Sequence, residues 1–177
     1  MLKPAILFKE KIENEFNKKL YTQDFFYYTG YDGATYIPDI KREDYWYQYA
    51  IIDKDKLVGY FSYRHEPGSD TIDNFGLFSF DRGNPVIGRD VIRKMKELVN
   101  SHHRIEWRMI GGNPVKRHYD RFCKRYGGNV VLLHEVVRTP SGEYADEYIY
   151  EIVELKSKNF LEGVKNEQRG KRLKEVK

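Results

Sequence analysis

Hydrophobic and polar positions divide the chain into strand-like and helix-like stretches. Residues 4–20 read as a strand or turn followed by a helix, because Ile12, Phe16 and Leu20 recur every fourth position among Lys and Glu. Tyr47–Ile52 and Leu57–Arg64 are apolar or alternating on either side of Asp53-Lys54-Asp55-Lys56, the pattern of a β-hairpin. After a break at Pro67-Gly68-Ser69-Asp70, Thr71–Phe80 predicts a third antiparallel strand. A turn containing Gly83, Asn84 and Pro85 then leads into a helix over 88–100. Val91, Ile92, Met95, Leu98 and Val99 lie on one face of that helix, and Asn100-Ser101-His102-His103 closes it. Arg104–Ile110 alternates as a strand. Gly111-Gly112-Asn113-Pro114 interrupts it, and Pro114 suits the first turn of a second helix with Val115, Tyr119, Phe122 and Tyr126 in one stripe. Gly127-Gly128 stops this helix, and Asn129–Val137 with Tyr144–Glu154 form a last strand pair around Pro140-Ser141-Gly142.

This order predicts one mixed α/β domain over residues 1–155. Its first strands are antiparallel, and the strand–helix–strand at 71–110 implies a right-handed parallel crossover. Between Phe25 and Tyr49 there are ten aromatic residues, punctuated by Gly30, Gly33 and Pro38. That region reads as loop-rich, with a short helix near Lys41–Tyr47. Its rings either line a pocket or pack over the sheet.

Composition sets the class. The chain has 177 residues, 40% hydrophobic and 33% charged, which suits a soluble globular domain with a real core. No apolar run approaches the ~20 residues of a membrane-spanning helix, and the first residues carry no secretory pattern. The lone Cys123 excludes an internal disulfide and a cysteine-cluster metal site. A cytoplasmic setting without a membrane partner is the expectation. The net charge of +4 is uneven. Residues 156–177 hold eight Lys/Arg against three Glu, leaving 23 positive and 24 negative side chains in 1–155. The basic character therefore belongs to a tail, expected to be helical or disordered, and nucleic acid is not an expected partner.

Candidate chemistry centres on Phe80–Arg89, where a strand breaks into a glycine-containing loop and then a helix. The first N–H groups of a helix lack partners and its dipole favours anions, although most such turns bind nothing. Arg82, Arg89, Lys94 and Lys116 could meet phosphates, with surface solvation as the plainer account. Tyr119 is equally a packed core residue or a proton donor, and Cys123 a buried structural thiol or a donor. His102, His103 and His118 lie at helix ends without a ligand cluster and read as capping or surface residues, so no metal is expected.

Four stretches together resemble the GNAT superfamily of acetyl-CoA-dependent N-acetyltransferases, over roughly Tyr47 to Glu154. Leu57-Val58-Gly59-Tyr60-Phe61 resembles the family's third strand, and Asp81–Asp90 stands where its Q/R-x-x-G-x-G/A pyrophosphate loop leads into a helix. Gly112-Asn113-Pro114 resembles the Asn after the fifth strand, and Tyr119–Gly128 the helix ending LY-x-K-x-GF. The resemblance implies a GNAT-like fold and direct transfer of an acetyl group from acetyl-CoA to a primary amine, without metal. It puts the diphosphate at Arg82, Gly83, Val86, Ile87, Gly88 and Arg89, and the amide arm along Phe78, Ser79 and Phe80. Asn113 and Lys116 add to the cofactor contacts. Glu106, Asp73 and Glu66 are candidate bases, and Tyr119 or Cys123 the donor to the departing thiolate. The amine acceptor stays unidentified, and a homodimer is one assembly to expect. Two departures keep an alternative open, a catalytically weak GNAT-like domain that binds acyl-CoA or a protein partner. Asn84-Pro85 replaces the middle glycine of the loop. Counting back from Gly127 puts Cys123, not a tyrosine, at the place of the family's general acid.

Overall fold

The computed structural model describes residues 1–29 and 37–154. The expected tail beyond Leu155 and the Tyr31–Tyr36 part of the aromatic stretch lie outside the described residues. Seven strands form one sheet: β1 Leu2–Pro4, β2 Trp46–Asp53, β3 Lys56–Glu66, β4 Thr71–Ser79, β5 Arg104–Ile110, β6 Asn129–Arg138 and β7 Tyr144–Val153. Their order is β1-β2-β3-β4-β5-β7-β6. All neighbours are antiparallel except β4 and β5, which are parallel, as a strand–helix–strand connection requires.

The helices are α1 Lys9–Asn17, α2 Gln23–Thr29, α3 Pro85–Ser101 and α4 Lys116–Arg125, with a 3-10 turn at Ala5–Phe8. Two cores result. α1 and α2 bury Ile12, Phe16 and Phe25 against Tyr60 and Phe78. α3 and α4 bury Val91, Met95, Leu98 and Phe122 against Ile72, Ile105, Trp107 and Tyr150. Burying each large apolar side chain stabilises by roughly 1.5–3 kcal/mol before chain entropy is counted. β2 and β3 meet through the two-residue loop Lys54-Asp55, both at positive φ (44° and 68°), the geometry that matches the strands' twist.

Several boundaries differ from the pattern-based expectation. α1 stops at Asn17, so Leu20 reaches the core from the following turn. No helix covers 41–47. Tyr45 sits at φ 65°, outside the helical range, and Trp46 already belongs to the ladder with β3. The helix in this region is instead α2, made of the aromatic run itself, where Phe25 and Phe26 are buried. α3 begins at Pro85, three residues before the expected start. Asn84 is its N-cap, accepting the Val86 N–H at 3.0 Å, and Pro85 fills the first helical position. Gly88 and Arg89 therefore lie inside the helix and not in a loop. Pro114 precedes α4 by two residues. Asn113 Oδ1 accepts the Val115 N–H at 3.1 Å and turns the chain into it.

Two features of β4 position the site. Asn74 has φ 49°, and the register with β3 steps from Arg64↔Asp73 to Ser62↔Gly76, a β-bulge. On the other edge, β4 pairs with β5 only at Thr71↔Arg104 and Ile72↔Ile105. β5 then continues with β7 through Ile110. From Asp73 to Ser79 the β5-facing edge of β4 pairs with no strand among the described residues.

Candidate active site

A cleft of about 390 Å³ lies where β4 and β5 part. One wall is the free half of β4, Leu77, Phe78 and Ser79, with Tyr27 and Tyr28 from α2 beside it. The other wall is the entry to α4, from Asn113 to Val115, followed by His118 and Tyr119. Arg82, Gly83, Asn84, Ile87 and Gly88 line the end nearest the start of α3.

Half of the residues implied by the resemblance, eight of sixteen, converge here. Phe78, Ser79, Arg82, Gly83, Ile87, Gly88, Asn113 and Tyr119 all line the cleft. The buried Ser79 Oγ in this wall has no hydrogen-bond partner among the described residues. Gly83, at φ 88°, opens onto free space, and a backbone in that conformation favours glycine.

Other candidates stand elsewhere. Phe80 packs on Phe16 in the α1–α2 core, ring centroids 5.2 Å apart. Val86 is buried in the opposite core. Arg89 Nε donates to Asp90 at 3.0 Å, one helical position away. Lys116 Nζ donates to Asp120 at 2.8 Å and sits 4.5 Å from the Tyr148 ring centroid. Lys94 is paired with Glu97. None of these lines the cleft. Glu106, Asp73 and Glu66 do not line it either. Glu106 alternates with the core-facing Ile105 and Trp107, and it accepts from Arg104 at 2.6 Å on the other face of β5. Asp73 is held by Arg64 through two bonds of 2.8 and 3.0 Å.

Tyr119 and Cys123 separate cleanly. The Tyr119 ring packs edge-on against Trp107 and Tyr150, each 5.8 Å away, while the residue borders the cleft. Burial pushes its hydroxyl up to about 12, so at neutral pH it is a hydrogen-bond donor and not an anion. Cys123 is 1% exposed, and its thiol donates to the Asn129 carbonyl at 3.3 Å. Burial raises its pKa to about 11. The thiol is a seam between α4 and the β6–β7 pair. Gly128 serves the same seam, since a Cβ there would fall 2.4 Å from the Glu151 carbonyl and 2.6 Å from Cys123 Sγ.

The pattern of the sequence missed Asp24, Tyr27, Tyr28 and His118 as cleft residues. Asp24 lies 3.5 Å from Arg82, and His118 is exposed on α4 with its Nε2 accepting from Arg117 at 3.4 Å. The aromatic density around Tyr27 and Tyr28 was the available signal, and half of it points into core.

The anion-binding end is poorer in donors than the sequence suggests. Pro85 has no N–H, Asn84 Oδ1 occupies that of Val86, and Ile87 N–H makes a long 3.3 Å bond to the Asn84 carbonyl. Asn84 Nδ2 in turn donates to Asp53 and Asp81 at 3.1 and 3.3 Å, and Lys56 donates to Asp81 at 3.0 Å. Arg82 and Gly83, which line this end, make no backbone N–H hydrogen bond among the described residues.

Comparison with solved structures places this architecture. A probable GNAT-family acetyltransferase from Chromobacterium violaceum ATCC 12472 superposes with a TM-score of 0.60 at 14% identity, over 88% of this chain and 87% of that one. Spermidine/spermine N-acetyltransferase SpeG from Vibrio cholerae, solved in complex with manganese ions, gives 0.53 at 17% identity, over 66% and 70%. Alignment with another acetyltransferase crystal structure spans 62% of that chain. No protein-family model and no curated protein sequence matches. The chain thus has the GNAT acetyltransferase fold, with the mixed sheet and single parallel pair expected of it. No helix among the described residues is long and apolar enough to cross a membrane.

Proposed function

We propose that this chain is an N-acetyltransferase that moves an acetyl group from acetyl-CoA directly to a primary amine. The observation that carries the reading is the bared edge of β4 beside the cleft. An extended ligand bearing alternating amide donors and acceptors suits a strand edge that lacks its own neighbour. The pantetheine arm of coenzyme A is such a ligand. Its diphosphate would meet Arg82 and the N–H groups of Arg82 and Gly83, with Ile87 and Gly88 beneath it.

The reaction needs the acceptor ammonium to lose a proton, since amines of this kind hold it to a pH of about 10. Asp24 and His118 are the cleft-lining groups able to accept it. The free amine then forms a C–N bond with the thioester carbonyl carbon, and its nitrogen gives up a second proton to solvent. The C–S bond breaks, and its electron pair leaves on sulfur. Tyr119 donates a hydrogen bond to that thiolate. Full transfer of its proton to a thiol-like sulfur of pKa about 8.5 would be uphill by roughly three pH units, so solvent completes the protonation.

A second reading, an acyl-CoA-binding domain with slow catalysis, is favoured by the Asn84 cap, which takes a phosphate-facing N–H out of use. Acetyl-CoA titration followed by thermal shift, with thiol release over a panel of primary amines, tests both. Stabilisation together with amine-dependent thiol release supports transfer. Stabilisation alone supports the second reading, and no thermal shift at millimolar acetyl-CoA overturns both.

A further inference from the structure

At the opposite end of β4 from the cleft, three side chains from separate elements close on one point. His65 is the next-to-last residue of β3, Asp70 lies in the turn before β4, and His102 caps the C-terminus of α3. His65 Nε2 stands 3.0 Å and His102 Nδ1 2.8 Å from the same oxygen, Asp70 Oδ1. The two rings are 4.7 Å apart between centroids, and the three potential ligand atoms all lie within 4.8 Å of one another. We propose that His65, Asp70 and His102 form a binding site for one transition-metal dication of the zinc class, with water completing the coordination.

The chemistry favours this ion over a harder one. Two neutral imidazoles and one carboxylate suit zinc, cobalt, nickel or copper, whereas magnesium and calcium prefer oxygen donors alone. A tetrahedral site with bonds of about 2.0–2.1 Å separates its ligand atoms by roughly 3.3 Å. The two N–O separations need to open by only a few tenths of an ångström once a cation replaces the protons they share. Each imidazole has a second ring nitrogen that can carry its proton, so the nitrogen facing Asp70 can serve as a ligand. Both histidine side chains are 21% exposed and Asp70 is 48% exposed, which leaves an entry path and room for water.

The group is pre-positioned. Asp70 has φ 45°, an uncommon conformation for a residue with a side chain, and its backbone is fixed on both sides. Its N–H donates to the Pro67 carbonyl at 3.4 Å, and its carbonyl accepts the Arg104 N–H at 3.3 Å. The second carboxylate oxygen accepts the His103 N–H at 2.9 Å, orienting the first toward the rings. The Arg104 guanidinium pairs with Glu106 and Glu151. None of the three proposed ligands lines the cleft, so the site is separate from the acyltransfer reading and does not depend on it. A bound ion would staple the C-terminus of α3 to the turn that begins β4.

The test uses untagged full-length protein stripped with EDTA. Zinc chloride is followed by calorimetry and melting temperature, with magnesium chloride in parallel and Co²⁺ absorption reporting the coordination. One equivalent of zinc is expected to bind and raise the melting temperature, with no response to magnesium. H65Q and H102Q keep a hydrogen-bond donor for Asp70 but lose the imidazole, and each is expected to bind zinc at least tenfold more weakly while melting in EDTA near the parent. Absence of any zinc response at millimolar concentration overturns the proposal. So does parental zinc affinity in the folded H65Q/H102Q double variant.

Discussion

The two ends of β4 are built on opposite plans. At its start, Thr71 and Ile72 are zipped to β5, and Asp70 gathers His65, His102 and His103 into a closed polar knot. At its end, Leu77 to Ser79 face a cleft, β5 has moved away, and Ser79 Oγ is buried without a partner among the described residues. One strand thus has its backbone edge paired at one end and, among the described residues, bare at the other. A stretch whose bonds are complete contributes to stability. A stretch whose bonds are incomplete is where a ligand gains most by arriving.

Substitutions at the two ends should therefore separate activity from stability. The largest effect is expected from Tyr119→Phe, which removes the hydrogen bond to the departing thiolate and should lower the turnover of amine acetylation on the order of 10²-fold. The KM for acetyl-CoA and the melting temperature should stay near the parent. An equal loss of stability would mark Tyr119 as a packing residue only. At the closed end, Asp70→Ala in EDTA should cost about 1–3 kcal/mol, seen as a lower denaturant midpoint, through three lost hydrogen bonds. Turnover at a temperature where the variant is folded should not change. If turnover fell with full folding, the two ends would be coupled and the contrast would fail.

A smaller effect is expected at the loop. Asn84→Gly should cost only a few tenths of a kcal/mol as a cap, yet it frees the Val86 N–H. Acetyl-CoA should then bind severalfold more tightly by calorimetry. Weaker binding would show that the Asn84 side chain itself holds the cofactor.

The smallest effect concerns the support behind the open end. Burial pushes the Asp120 carboxyl up, but hydrogen bonds from Lys116 and Tyr150 outweigh it and hold the pKa below its ordinary 3.8. Because the folded value is the lower one, this stabilisation is present above about pH 4 and is lost as the pH falls through the folded pKa. Asp120→Asn should flatten the acid limb of a stability–pH curve below pH 4. An unchanged limb would place the acid sensitivity elsewhere, Asp70 first.

What was readable in the sequence is what repeats locally. The strands around the Lys54-Asp55 turn, the α3 face from Val91 to Val99 and the α4 stripe all announce themselves by period. The Asn84-Pro85 pair was equally legible as a cap followed by a first helical residue. The parting of β4 from β5 could not be read, because it is a fact about pairing between distant segments. The same holds for the histidine cluster. His65 is five residues from Asp70, but His102 is 32 away, and only the fold brings them together. Glu106 failed as a cleft base for a plainer reason, since alternation along β5 assigns it to the face opposite Trp107.

The bulge at Asn74 has a consequence for how this strand can change. Ile72, Phe75 and Leu77 all contact the α3–α4 core, a spacing of three and then two. Asn74 is the odd residue that resets the count. Removing it would restore strict alternation and turn Phe75, Leu77 and Ser79 over to the α1 side, with Phe78 moved to the α3–α4 side. A one-residue deletion at position 74 would therefore rewrite the lining of the cleft without touching any residue in it.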